Sequence, residues 1–128
     1  MMIAEVSEKY DISQDTLRYY ERIGLIPSVN RNKSGIRDYT EEDCRWVEFI
    51  KCMRSAGLPI EILIEYVGLF QQGDETLEVR KELLIEQRKQ LMVKMEDMKK
   101  TLERLDGKIT RYEQAVVGAE KTLKRSED

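Results

Sequence analysis

The sequence contains no histidine, only two cysteines and two prolines, and no long apolar run. Without histidine, the Cys/His ligand sets that hold zinc in small domains are nearly excluded, and so is a histidine general base. No apolar stretch approaches the roughly 18 residues that cross a bilayer. Because no signal-like apolar segment opens the chain, we expect free thiols in a reducing cytoplasm, with no metal and no membrane as partners.

Signatures of catalysis are also missing. The chain has no Ser/His/Asp arrangement, no glycine-rich phosphate loop and no paired-carboxylate signature. We therefore expect a protein that is not an enzyme and that carries no cofactor.

Charge is unevenly distributed along the chain. The formal net charge is -3, yet residues 18–37 include five basic residues and one acidic residue. Residues 59–74 include three acids and no lysine or arginine. A basic stretch inside an acidic protein indicates one surface for nucleic acid.

The first part of the chain predicts a helix-turn-helix over residues 2–24. Apolar residues three and four apart predict an opening helix, and Ser13 is the expected N-cap of a second helix that ends before Gly24. Two short helices joined by about three residues are typical of this motif, although many helical proteins contain such a corner.

A turn-rich segment follows and predicts a wing, that is, a β-hairpin over residues 26–39. Pro27 blocks helix continuation, and Gly35 closes a turn cluster between two short apolar segments. A solvated surface loop remains the alternative. Two further helices, at 40–56 and 59–72, complete a predicted winged-helix domain over residues 1–72.

From about residue 75 the pattern changes to apolar residues at alternating three- and four-residue spacing. Between Leu91 and Leu123 all ten seam positions are apolar, and such a stripe needs another helix to bury it. We predict a dimerisation coiled coil over residues 75–128, with a break near Gly118 that leaves a short C-terminal segment. Its seam includes Leu91, Met95, Met98, Leu102, Leu105, Ile109 and Tyr112. Two of the earlier seam positions are charged, Lys81 and Arg88, so the start of this helix is expected to pack differently, against the preceding helix.

Three motifs carry a resemblance to a known family: TLRYYERIGLIP at 16–27, RNKSGIRDY at 31–39 and FIKCMRSAGLPIE at 49–61. Together they resemble the MerR family of bacterial transcription regulators, in detail over residues 2–70. The resemblance implies a homodimer in which an antiparallel coiled coil joins two winged helix-turn-helix domains. It further implies binding to a palindromic, overlong promoter spacer, whose bending and untwisting switch transcription by RNA polymerase.

The expected contacts with double-stranded DNA lie on the second helix, the wing and the third helix. Arg18 can reach a phosphate or a guanine edge, while one of the two following tyrosines can offer its hydroxyl to a phosphate. Arg54 matches a position that contacts the DNA backbone in relatives, and Tyr39 is either a contact or a core residue. The expected DNA-binding set is Ser13, Asp15, Thr16, Arg18, Tyr19, Tyr20, Arg31, Lys33, Ser34, Arg37, Tyr39 and Arg54.

A coiled-coil scaffold for protein interactions is the alternative class of function. That interpretation leaves the basic residues of the wing and the Arg-Tyr-Tyr segment without a role.

The positions of the cysteines bear on the identity of the effector. Metal-sensing relatives carry a cysteine at the start of the long helix, where this chain has Thr76 and Leu77. The segment around Cys52 resembles the NmlR/AdhR-like subgroup, which responds to the stress of aldehydes and other thiol-modifying electrophiles. This resemblance implies that Cys52 is the sensor. We expect its adduct to act by adding volume in or beside a packed region, because cores resist extra atoms.

Alternatives to this sensor are left open. Cys52 can instead be a buried packing thiol, and the regulator can take another small effector or none. Cys44 lies eight residues earlier on the same predicted helix. That spacing is a rise of about 12 Å, too far for a disulfide within one chain.

Overall fold

A computed structural model describes the backbone of residues 1–127 and the side chains of residues 1–123. Within these residues the fold is mainly α, with a helix-turn-helix start and a long final helix, as predicted. The helices are α1 (Ile3–Tyr10), α2 (Gln14–Arg22), α3 (Glu41–Ser55), α4 (Ile60–Gln71) and α5 (Leu77–Glu127). A short 3-10 turn, Asp74–Thr76, precedes α5.

The connection between α1 and α2 is built by local side-chain chemistry. Asp11 ends α1 in the left-handed region, with a φ of 53°, where its backbone N–H bonds to the carbonyl of Ser7. Asp is one of the few non-glycine residues that visit this region. The Ser13 hydroxyl then accepts a hydrogen bond from the Thr16 backbone N–H at 3.1 Å. The predicted N-cap is therefore confirmed.

The first four helices enclose one hydrophobic core. Because α3 begins with a capping box between Thr40 and Asp43, its first turn is fixed in the phase that turns Val47 and Ile50 inward. Side chains with at most 2% exposure come from every one of these helices and from the connecting segments: Val6, Leu17, Leu25, Ile26, Tyr39, Val47, Ile50, Leu63 and Val67.

The wing differs from the predicted hairpin because it has no strand within the described residues. Its two arms meet at a single isolated antiparallel bridge, between Arg31 and Arg37. The Asn32 side-chain oxygen accepts the backbone N–H groups of Ser34 and Ile36, at 2.9 and 3.1 Å. A side chain thus takes donors that a β-ladder would otherwise use. The chain reversal is present, but the extended strands are not.

The start of α5 packs against the end of α4, as expected from its charged seam positions. The Thr76 hydroxyl donates to the Leu69 and Gly73 carbonyls at 2.7 and 2.8 Å. The Arg80 guanidinium lies over the Phe70 ring, 5.3 Å from its centroid, and Arg80 is 9% exposed. These contacts extend the first compact unit to Met1–Gln87, so it ends later than the predicted boundary at residue 72.

The second compact unit begins at Arg88 and consists of the remainder of α5. The predicted break near Gly118 is wrong, because α5 is helical through Glu127. One glycine costs about 1 kcal/mol in a helix, which is too little to interrupt one flanked by good helix formers. The predicted seam is exposed in the single chain from Met95 onward, with Met98 72% and Leu102 59% exposed, and its first residue, Leu91, is half-buried.

Candidate nucleic-acid interface

The N-terminal half of α2 presents the first group of expected contacts. Arg18 is exposed and reaches back along the helix, where it donates to Asp15 Oδ1 at 3.1 Å and to Gln14 Oε1 at 3.4 Å. The Asp15 side chain is 97% exposed. An exposed ion pair of this kind contributes little to stability, so the guanidinium can leave it to bind DNA at small cost.

The two tyrosines of α2 face different surroundings. Tyr19 is 38% exposed, and the Arg22 guanidinium lies 5.5 Å from its ring centroid. Tyr20 is half-buried and packs against the core. Burial raises the pKa of Tyr20 above its ordinary value, while the charge of Arg54 acts in the opposite direction. Tyr19 is therefore the one whose hydroxyl can reach a phosphate.

The wing carries the second group of basic side chains. Lys33 and Ser34 are exposed at its tip, and Arg31 is exposed with its Nη1 donating to the Gly35 carbonyl at 2.9 Å. Arg37 differs, because its Nε donates to Glu21 Oε1 at 2.6 Å and its side chain is only 24% exposed. The structure thus leaves Arg31 and Lys33 open to solvent and directs Arg37 toward α2.

Two further candidates occupy less open positions. Tyr39 is 2% exposed and its hydroxyl has no partner within the described residues, so it is a core residue, the alternative considered above. Burial raises the pKa of Tyr39, and the nearby charge of Arg37 opposes that rise. Arg54 is exposed and donates to the Leu58 carbonyl at 2.8 Å, at the end of α3. A phosphate contact by Tyr39 would require its side chain to leave the core.

The cysteines have opposite environments. Cys44 is buried and Cys52 is exposed, both on α3. The basic neighbours of Cys52 are used elsewhere, since Lys51 donates to the Tyr10 carbonyl and Arg54 to that of Leu58. The alternative of a packing thiol therefore fits Cys44 and not Cys52. No group of His, Cys, Asp or Glu side chains in the described part of the chain could hold a metal ion.

Sequence reasoning missed two acids that hold the wing in place. Glu21 binds both of its arms, and Asp43 Oδ2 accepts from the Asn30 backbone N–H at 3.2 Å. One signal was available: Glu21 is the single acid within the basic stretch 18–37.

None of the helices described combines the length and the apolarity that a membrane crossing requires.

Comparison with known proteins gives consistent matches over most of the chain. The MerR HTH family regulatory protein model matches residues 1–67, and the MerR DNA-binding model matches residues 44–108. The HTH-type transcriptional regulator AdhR of Bacillus subtilis (strain 168) is 59% identical over 92 residues, which are 72% of this chain. They span 66% of AdhR, just under two thirds of its length.

Two solved structures extend the agreement to the fold. A protein from Listeria monocytogenes, described as a MerR family transcriptional regulator, has a TM-score of 0.92 at 50% identity, covering 97% of this chain and 94% of that one. HiNmlR, described as a MerR family regulator that lacks the sensor domain and is bound to promoter DNA, has a TM-score of 0.82 at 31% identity, covering 89% and 90%. With its helix-turn-helix, basic wing and long final helix, the chain belongs to the MerR family and is a DNA-binding transcription regulator.

Proposed function

We propose that the chain acts as a homodimer on a palindromic promoter spacer, and that an aldehyde or related electrophile switches transcription by modifying Cys52. The dimer would distort the bound spacer for RNA polymerase without leaving it. The observation that carries the proposed sensor is the contrast between the exposed thiol of Cys52 and the buried thiol of Cys44.

Support for a dimer comes from the second half of α5. The seam residues from Met95 to Tyr112 are more than half exposed in the single chain, from Ile109 at 54% to Met98 at 72%, whereas Leu91 is half-buried. A regular stripe of this kind needs a second helix, because large contiguous apolar patches are rare on monomers. The antiparallel direction follows from the family resemblance, which puts the two DNA-binding halves at opposite ends of the helix pair.

Support for promoter binding comes from the open basic groups on α2 and the wing. Arg18, Arg31 and Lys33 are exposed; Arg18 donates to the Asp15 and Gln14 side chains of its own helix, and Arg31 donates to the Gly35 carbonyl. Such groups can exchange these partners for phosphates, whose counterions are then released. HiNmlR, at 31% identity, is described in complex with promoter DNA.

The exposure of Cys52 changes how an adduct would act. Addition of an aldehyde joins the sulfur to the carbonyl carbon, and the thiol proton ends on the carbonyl oxygen as a hemithioacetal. At an exposed position the new group projects from the surface of α3, so overpacking of the core is not its first effect. The adduct would instead change what that face of α3 contacts when the dimer holds DNA. Couplings of about 1–3 kcal/mol are enough to rebias a two-state regulator.

Promoter output in cells tests the sensor. We expect Cys52→Ser to bind the promoter normally and to lose induction by an aldehyde. Cys44→Ser is the matched control, with the same change on the same helix, and should keep induction. Full induction in the Cys52→Ser strain would remove the sensor role and leave a regulator with another effector or none.

A gel shift with the upstream promoter separates the regulator from a coiled-coil scaffold. We expect a sequence-specific shift at micromolar protein that weakens steeply as salt is raised. A folded dimer that does not shift this DNA would favour the scaffold.

A further inference from the structure

Glu21 lies on α2, the helix expected to enter the major groove, where a carboxylate is repelled by the DNA phosphates. Its side chain is only 12% exposed, and both carboxylate oxygens are used. Oε1 accepts from Arg37 Nε at 2.6 Å, and Oε2 accepts from the Val29 backbone N–H at 3.0 Å. Val29 precedes the wing turn and Arg37 follows it, so one carboxylate binds both arms of the wing to α2.

The wing needs this external support because its own pairing is minimal. The arms share one bridge, Arg31 with Arg37, whose two backbone hydrogen bonds run from Asn32 N–H to the Ile36 carbonyl at 2.9 Å and from Asp38 N–H to the Asn30 carbonyl at 2.7 Å. Asp43, at the start of α3, provides a second attachment: its Oδ2 accepts from Asn30 N–H at 3.2 Å and from Thr40 N–H at 2.9 Å. Short hairpins without a ladder are marginally stable alone. Carboxylates on the neighbouring helices therefore hold the wing, together with Met1, whose ammonium group binds Asp38 Oδ1 at 3.1 Å and whose carbonyl accepts from the Tyr39 N–H at 2.7 Å.

We propose that Glu21 is a positioning residue that fixes the wing relative to α2, and that Arg37 acts as its partner and not primarily as a phosphate contact. The inference rests on the proposed location of the DNA contacts on α2 and the wing. It reverses the expectation from charge alone, because loss of an acid next to phosphates should strengthen binding. If Glu21 positions the wing, its loss weakens binding to the promoter.

Glu21→Gln is the central variant, measured with the full chain by fluorescence anisotropy on the promoter and on a random duplex. Glutamine keeps an oxygen for the Val29 N–H and loses the charge that holds Arg37. We expect promoter binding to weaken about tenfold, the size of losing one contact. Binding to the random duplex should stay within about twofold, with the same salt slope, because the phosphate-binding side chains remain.

Substitutions at Arg37 distinguish a partner of Glu21 from a DNA contact. Arg37→Gln should give the same loss as Glu21→Gln, and the double variant should lose no more than either one. Arg37→Lys keeps the charge but loses the Nε–H donor, so it should remain weak, whereas a phosphate contact would be rescued by lysine. Because Arg37→Lys leaves Glu21 unchanged, it still tests the Glu21–Arg37 pair if Glu21→Gln folds poorly.

Glu61→Gln, on the exposed start of α4, is the matched control for removing one negative charge. It should leave the ratio of promoter to random binding unchanged. Tighter promoter binding by Glu21→Gln, additive losses in the double variant, or equal weakening on both duplexes would overturn the inference. A wild type that does not bind the promoter would contradict the proposed function as well as the positioning role of Glu21. A wild type that binds normally, with variants that depart from these expectations, would contradict the positioning role alone.

Discussion

Tyr19 and Tyr20 are neighbours in the chain but take different roles, because adjacent residues of a helix diverge by about 100°. Leu17 is fully buried and sets the phase of α2. Tyr20, three residues later, follows it toward the core, whereas Tyr19 is 38% exposed. The spacing could predict that one tyrosine packs. Tyr39, next to an apolar segment of the wing, showed no such period, and only the structure puts it in the core.

Arg18 and Lys33 should differ in how they contribute to DNA binding. If Arg18 reads a base, Arg18→Ala should weaken promoter binding by roughly 1–3 kcal/mol and reduce discrimination between sequences. Lys33→Ala, at the wing tip, should weaken all duplexes similarly and lower the salt slope by about one unit. Arg31→Ala should resemble Lys33→Ala. Titrations at several salt concentrations measure both quantities, and unchanged affinity in all three folded variants would show that DNA binds elsewhere.

Tyr39 contributes a testable pH dependence. Burial raises its pKa above the ordinary value of 10.0. At a pH between the pKa of Tyr39 in the unfolded chain and its higher pKa in the folded chain, the unfolded chain binds fewer protons. The free energy of unfolding should therefore fall as pH rises above 10.0, and this group should not affect it at lower pH.

Tyr39→Phe removes a buried hydroxyl that has no partner within the described residues. We expect the free energy of unfolding at neutral pH to rise by about 1 kcal/mol, because the cost of burying that hydroxyl disappears. The loss of stability above pH 10.0 should also become shallower. Urea titrations at neutral and alkaline pH measure both, with Tyr19→Phe on the exposed side of α2 as control. A destabilised Tyr39→Phe would mean that the hydroxyl is hydrogen-bonded in solution.

At the scale of elements, the N-caps of α2 and α3 were predictable, and the lack of strands in the wing was not. Ser13 and Thr40 cap their helices within three residues, so the information is local. The wing is held by Glu21 and Asp43, and the Glu21–Arg37 pair is separated by 16 residues. The spacing of apolar residues does not reveal polar contacts between residues so far apart in the chain. The turn residues therefore predicted the chain reversal correctly, but the two predicted strands were wrong.

Two glycines should respond in opposite directions to the same change. Gly118 lies within α5 with open space beside it, so Gly118→Ala should stabilise the helix by up to about 1 kcal/mol. Gly35 has a φ of 78° at the wing turn, where a side chain is strained, so Gly35→Ala should destabilise by about 1 kcal/mol. Thermal unfolding followed by circular dichroism compares them. A lower melting temperature for Gly118→Ala would show that this glycine serves packing in the assembled protein.

At the scale of the molecule, the exposed seam residues of α5 are the basis of the proposed dimer. The apolar spacing predicts that these residues are buried, yet one chain leaves Leu102 59% exposed. The compact unit that includes the DNA-binding helices extends to Gln87, which the change in pattern near residue 75 did not reveal. The hydrogen bonds and stacking of Thr76 and Arg80 cause this extension, and polar contacts of that kind leave no hydrophobic signal.

Leu102→Glu tests the dimer. A carboxylate in an apolar seam faces its counterpart or an apolar side chain and should cost several kcal/mol, enough to separate the chains. Sedimentation equilibrium should report a wild-type dimer and a variant that is monomeric or unfolded. Glu103→Gln, one residue along and charged in the wild type, should remain a dimer. A wild type that sediments as a stable monomer at micromolar concentration would contradict the prediction.

Because one thiol is exposed and the other is buried, the reaction rates of the two thiols report on whether the chain is folded. Cys52 is exposed, while Cys44 is 7% exposed and belongs to the core. A colorimetric thiol reagent should therefore count one group per folded chain at once. The second would be released only as α3 leaves the core, at the pace of local or global opening. The slow phase of that count would time the opening of the DNA-binding unit without any added label.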